Sequence, residues 1–270
     1  MLPVIIVTPT AQWLESALAH CSTSVTVSSP YVGDYFADTI SRLPEKIEVA
    51  LLTRTLITDF ASRASDLDAV CKLAKRSDGV LSLSSLHAKV YVVDETKALV
   101  TSANATYSGM NRNRECGLEV TSRAEVRTLA TLIHSGFGGI PKPKSWTVED
   151  LEELREPVKV LRDALPRTTK SQLQTVDAPP RVELPRRQFN KLIESFSGWL
   201  QLTLEGIAMI ESNIFTMEQV WIACSPLAQR RFPENRHSRE KMRQQMQRLR
   251  DLGLVLFVGK GRYERLTHFR

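Results

Sequence analysis

Cysteine is scarce in this chain: four residues in 270, at Cys21, Cys71, Cys116 and Cys224. They are scattered and form no Cys-x-x-Cys pair, so neither a zinc site nor a disulfide framework is suggested. No cluster of metal-ligating residues stands out, and neither a metal nor a cofactor is expected. A reducing, cytoplasmic setting is the expectation from such cysteine usage. Long apolar runs are also missing. The longest uncharged stretch, Ser16 to Gly33, is full of Ser and Thr and contains His20 and Pro30, which argues against a membrane-spanning helix. The opening "MLPVIIVTPTAQWL" has no basic n-region and no small-residue cleavage site. It reads as a strand entering a helix and not as a signal peptide. Neither an internal repeat nor a low-complexity tract is present.

What the chain does have is ordinary globular composition, 42% hydrophobic and 24% charged, with an uneven charge. Residues 1–140 carry 13 Lys and Arg against 14 Asp and Glu, a balance of −1. Residues 141–180 carry 7 against 7, and residues 181–270 carry 16 against 9, a balance of +7. The whole excess of the +6 chain therefore lies in its last third, which points to a polyanionic partner there, most often nucleic acid.

The first 140 residues alternate strand-like and helix-like patterns, from "PVIIVTP" and "AQWLESALAHC" to "CGLEVTS" and "RAEVRTLATLIHSGF". Val-rich strands alternating with helices predict an α/β sandwich, a mixed sheet with helices on both faces. The segment "VLSLSSLHAKVYVVD" reads as one strand. Residues 141–185 change character: "IPKPKSW" and "DAPPRVELPRR" suit linkers. Between them "TVEDLEELREPVKVLRDAL" predicts one bridging helix capped by Thr147. From 186 to 270 the pattern is three helices, "FNKLIESFSGWLQL", "TMEQVWIACSPLAQRRF" and "SREKMRQQMQRLRDLG", then "LVLFVGKGRYERL", two strands around a Gly-Lys-Gly turn. That order is an α+β winged helix.

One stretch carries chemistry: "SLHAKVYVVDETKALVTSANAT". Alternation puts His87 and Lys89 on one face, with Tyr91 and Val93 continuing it. Asp94 follows, and then Ser102 and Asn104 repeat the two-apart spacing. His87-x-Lys89, Asp94 and Ser102-x-Asn104 resemble the HxKxxxxD motif of the phospholipase D superfamily with its trailing Ser-x-Asn. The resemblance covers residues 1–140. It implies a histidine that attacks phosphorus and becomes a phosphohistidine, while a second histidine protonates the leaving oxygen. An imidazole supplies a nucleophile without a metal. Lys89 and the Asn104 amide would steady the phosphoryl oxygens, and Ser102 would add a hydrogen bond. Glu115 lies where the family places an acid that orients the histidine. Asp94, at a strand end before "ETK", reads better as a turn cap than as a catalyst. Thr101 departs from the family, which has Gly there, and would narrow the pocket.

The chain has one such motif; His20, His134, His237 and His268 are not followed by Lys two residues on. Two chains must then contribute one histidine each, which predicts a homodimer with the site on its axis. Single-motif members of the family are typically nucleases.

In the basic third, Met242, Met246 and Leu249 mark the apolar face of a helix, and Arg239, Arg243, Gln247 and Arg250 fall on an adjacent face. Arg and Gln make bidentate contacts with guanine and adenine edges. Lys260 and Arg262 sit at the hairpin tip, suited to phosphate. This segment resembles the C-terminal winged helix of some methyl-directed restriction endonucleases, which implies DNA binding. The expectation is a metal-independent DNA phosphodiesterase of restriction or defence. Its rivals are an inert dimeric DNA-binding regulator and, more remotely, a phospholipase or phosphatidyl transferase.

Overall fold

The computed structural model describes residues 4–77, 79–165 and 181–269. The chain divides into two compact units, one of residues 1–55 and 63–153, the other of residues 56–62 and 154–270.

The first unit is built on eight strands: β1 (Val4–Val7), β2 (Ser24–Ser28), β3 (Glu48–Thr53), β4 (Val80–Ser82), β5 (Val90–Val93), β6 (Lys97–Thr101), β7 (Cys116–Val120) and β8 (Lys144–Trp146). Their order across the sheet is β1-β7-β6-β5-β2-β3-β4-β8. β2, β3 and β4 run parallel, while β5, β6, β7 and β1 follow antiparallel. The mixed sheet expected from the alternating pattern is therefore present. On one face, Val90, Val92 and Ala98 pack with Val126, Ala130 and Ile133 of α5 (Arg123–Ser135). On the other lie α1 (Ala11–Leu18) and α2 (Asp34–Ser41), with α4 (Leu67–Arg76) packed against α2: the Trp13 indole donates to Glu119 at 3.0 Å, and Phe36 meets Tyr91 edge to face.

The run expected as one strand from Val80 to Asp94 is two strands. Residues 83–89 leave the sheet between β4 and β5, so His87 and Lys89 stand in a loop entering β5. Tyr91 shares their side of β5 but is fully buried.

Within the 141–185 segment expected as a linker with one helix, the described residues 144–164 form a strand and two helices. β8 pairs antiparallel with β4 and joins the sheet. The amphipathic segment is two helices, α6 (Val148–Glu152) in the first unit and α7 (Arg155–Ala164) in the second. Thr147 and Asp150 close a capping box on α6. The Pro-rich "DAPP" lies outside the described residues.

In the second unit, α3 (Ile57–Ala61) packs with α7, whose Arg162 donates to the Phe60 carbonyl at 3.2 Å. The segment expected as one helix from Phe189 is α8 (Arg186–Glu194) and α9 (Gly198–Ala208), parted at Ser195–Ser197 with Gly198 at φ +58°. β9 (Val182–Leu184) precedes these two helices, and after them come β10 (Ile214–Thr216), α10 (Met217–Arg231), α11 (Ser238–Asp251), β11 (Val255–Gly259) and β12 (Arg262–Arg265). β12 sits between β10 and β11 in an antiparallel sheet. Helix, strand, two helices and a hairpin is the winged-helix order. Arg265 is buried and its guanidinium donates to the Ile207 and Ile210 carbonyls, each at 2.6 Å, closing the C-terminal end of α9 against β12.

Candidate active site and nucleic-acid interface

β5 and β7 begin, and β1, β2, β3 and β6 end, at one edge of the sheet. Carboxyl edges of strands are where α/β sheets leave room for ligands. His87 is exposed there; Lys89 is buried, and its Nζ donates to the His87 carbonyl at 2.7 Å. The loop that carries them is pinned from two neighbouring strands. Ser28 donates to the Ala88 carbonyl at 3.0 Å, and the Thr101 amide to the Lys89 carbonyl at 3.1 Å. A buried ammonium held this way is a fixed positive charge, placed before any substrate arrives.

The Ser102–Asn104 segment is fixed just as closely. The buried Tyr91 hydroxyl donates to the Ala103 carbonyl at 2.9 Å, and the Ala105 amide to the Ser29 hydroxyl at 3.0 Å. Burial keeps the Tyr91 phenol protonated far above its ordinary range, so it stays a donor. Gly109 lets a π-type turn, Ser108–Arg112, lie directly on Asn104: a Cβ there would meet the Asn104 carbonyl oxygen at 2.5 Å. Asn104 has a buried amide oxygen without a hydrogen-bond partner. Half a turn of the amide would put its NH₂ donors there instead.

Glu115 stands at the start of β7. Its carboxylate accepts from the Ser102 hydroxyl and from the Asn113 amide, and its own N–H donates to Thr8 Oγ1 at 2.7 Å. The acid expected to orient His87 thus grips Ser102. Thr101 does not intrude as its departure from the family suggested. Its Oγ1 donates to the Cys116 carbonyl at 3.1 Å, and its Cβ takes the space that Gly117 leaves, where a Cβ would come within 2.7 Å.

Asp94 is not part of this constellation. It lies past the opposite end of β5, roughly 16 Å of extended chain from Lys89. Its carboxylate accepts from the backbone N–H of Ser22, Thr23 and Ser24 and from the hydroxyls of Ser22 and Thr23. Burial alone would raise its pKa, but the amides of Ser24, Thr23 and Ser22 reverse this and hold the carboxyl well below the usual range. Asp94 fastens the start of β2. The motif groups Asp94 with His87 and Lys89, but its carboxylate is committed to the main chain at the far end of β5.

In the second unit the α11 face divides. Arg243 and Gln247 are exposed, opposite buried Met242, Met246 and Leu249, and Gln244 joins them on the solvent side. Arg239 is exposed but paired with Glu218, its guanidinium 5.6 Å from the centre of the Trp221 ring. Arg250 is half-buried and paired with Asp251 at 2.9 Å. Lys260 and Arg262 are exposed at the wing, Lys260 at φ +50° between Gly259 and Gly261.

A family model described as "Cardiolipin synthase, PLD-like domain" matches residues 14–136. This is a PLD-like domain. A second model, "Dam-replacing HTH domain", matches residues 195–265, so the PLD-like domain is followed by a helix–turn–helix domain of that kind. Among solved structures, NucT from Helicobacter pylori is 14% identical with a TM-score of 0.42, over 54% of this chain and 99% of that one. Nuc from Salmonella typhimurium, a phospholipase D family member, is 15% identical with a TM-score of 0.42, over 54% of this chain and 99% of that one. Phosphatidylserine synthase from Haemophilus influenzae Rd KW20 is 14% identical with a TM-score of 0.48, over 60% of this chain and 43% of that one. Among the described residues, no helix is long and apolar enough to cross a membrane.

The PLD-like domain's supporting residues, Thr8, Ser29, Tyr91, Gly109 and Gly117, carry no local signal in the sequence. They reach the site through pairings as distant as Thr8 with Glu115. Tyr91 could be picked out only as the residue two beyond Lys89.

Proposed function

We propose that this chain is a phosphodiesterase that cleaves DNA through a phosphohistidine on His87, at a site shared by two copies. The observation that carries this reading is the convergence of His87, Lys89, Ser102, Asn104 and Glu115 at one sheet edge, in a chain that also has a helix–turn–helix domain. The exposed imidazole attacks phosphorus. Lys89 and Asn104 hold the oxygens that gain charge in the transition state. Ser102, gripped by Glu115, keeps the segment bearing Asn104 in register with the Lys89 loop. As the N–P bond forms, the P–O bond to the leaving oxygen breaks, and a histidine of the second copy supplies that oxygen with a proton. The same histidine then takes a proton from water, which attacks phosphorus, breaks the N–P bond and frees His87. Arg243, Gln247, Lys260 and Arg262 bring DNA to the site, and a cutting module joined to a reading module fits restriction or defence.

The test is plasmid cleavage by the full chain in chelator, beside His87→Ala. Cutting without added metal is expected. The variant should lose on the order of 10⁴-fold or more in rate while still binding DNA. A strict Mg²⁺ requirement, or undiminished cutting by His87→Ala, would overturn the mechanism.

A further inference from the structure

The loop from Ala105 to Arg114 leaves the site at Asn104 and returns to it at Glu115. It is held at its start, its middle and its end. Gly33, at the head of α2, donates its amide to the Ala105 carbonyl at 2.9 Å. Met110, in the turn that lies on Asn104, is fully buried. At the far end the Thr8 hydroxyl donates to the Asn113 carbonyl at 2.5 Å. On this fixed loop Tyr107 is 49% exposed, the one exposed aromatic side chain among the described residues of the first unit. Its ring meets that of Tyr35 at 77°, with centroids 5.7 Å apart, and the Tyr35 hydroxyl donates to Glu15 at 2.9 Å. The Arg112 guanidinium lies 5.1 Å from the centre of the Tyr107 ring. Arg112 and Arg114 are both exposed, and neither pairs with an acid among the described residues, whereas Arg127 of the same unit pairs with Glu95.

Resting on the phosphodiesterase reading, we propose that Tyr107 and Arg112 form a stacking subsite for the base of a nucleotide that flanks the scissile phosphate. Three observations point to a base. An aromatic ring braced by a second ring, half in solvent and joined by a guanidinium, offers a flat surface on which any base stacks. Tyr107 is three residues beyond Asn104, so at most about 11 Å of chain parts the ring's backbone from the amide that the mechanism gives to the phosphoryl oxygens. The loop carries two arginines and no acid, so a phosphodiester beside the base meets no repulsion. A base reaches such a platform only when it is out of the duplex stack. The subsite therefore responds to an unpaired base beside the cut and depends little on which base it is. Reading of sequence stays with the winged helix, and Tyr107 is a positioning residue for the strand being cut.

Photo-crosslinking tests this apart from cleavage. The full chain carrying His87→Ala is irradiated with a single-stranded oligonucleotide in which 5-iodouracil replaces thymine, a base that couples to an aromatic ring it stacks on. Peptide mass spectrometry should place an adduct on Tyr107. No adduct there, whether or not other residues are labelled, would overturn the proposal. In steady-state cleavage of the unmodified oligonucleotide, Tyr107→Ala should raise KM on the order of 10- to 100-fold and leave kcat within about threefold. Tyr107→Phe keeps the ring and should match the wild type. Tyr107→Leu serves if the alanine variant does not fold. Folded alanine or leucine variants with the wild-type KM, or a phenylalanine variant as poor as alanine, would also overturn it. Labelling of Tyr107 by a chain whose wild type cuts no phosphodiester would overturn the phosphodiesterase reading and leave the stacking subsite standing.

Discussion

In the PLD-like unit the key side chains are held from several sides by main-chain hydrogen bonds, whereas on the winged helix they stand out on an exposed helical face. Lys89 is buried against the His87 carbonyl, and the Ser102–Asn104 segment is tied by Tyr91, Ser29 and Glu115. Arg243 and Gln247 are exposed to solvent, and their neighbours Arg239 and Arg250 pair with acids of their own unit. On the proposed function, the contrast follows from two tasks. Stabilising a transition state needs donors fixed before the reaction, while following a DNA surface needs side chains that can adjust.

That contrast breaks if the fixed site proves insensitive. Lys89→Ala and Asn104→Ala should each slow cleavage on the order of 10²–10³-fold, with DNA affinity little changed. Rates measured at saturating DNA check this, and a loss confined to affinity would place both residues with the readers. On the winged helix, Arg243→Ala should cost about 1–3 kcal/mol of binding and relax preference at one base position. Lys260→Ala should weaken all sequences alike and lower the salt slope by about one. Binding titrations over a salt series separate the two. The chain passes between the units three times, and Leu56, Ile57 and Phe60 are fully buried in the second. Point variants are therefore a cleaner comparison than truncation.

The smallest effect concerns Asp94, which the motif groups with the site and the structure sets apart. Asp94→Asn should leave cleavage near wild type and cost about 1–2 kcal/mol of stability. The sign with pH follows from its lowered pKa. The Asp94 contribution is full above the unfolded value of about 3.9 and is lost as pH falls toward the folded one. Thermal melting across pH should show a wide gap between the two proteins at neutrality that closes in acid.

Much of this was legible in the sequence because it is local. Strand alternation, the helix cap at Thr147 and the Gly-Lys-Gly turn depend on neighbours along the chain. His87, Lys89, Ser102 and Asn104 stand out by their two-apart spacing together with the resemblance to the HxKxxxxD motif. The break between β4 and β5 was not legible, because Ser84, Ser85 and Leu86 fit a strand pattern as well as a loop, and only the pairing of β5 with β2 and β6 decides it. The splitting of the 141–185 segment between two units was hidden for the same reason: β8 gains its role from pairing with β4, far away in sequence. On α11, burial at Met242 and Met246 was readable, but the acids that engage Arg239 and Arg250 were not.

The central claim is that His87 itself forms a bond to phosphorus. Rapid mixing of the full chain with DNA in chelator, an alkaline quench that spares phosphohistidine, and peptide mass spectrometry test it most directly. A DNA-phosphoryl adduct on His87 that forms and decays at the rate of turnover, and is missing in His87→Ala, is the expected result. Turnover with no adduct on His87, or an adduct on another residue, would contradict it.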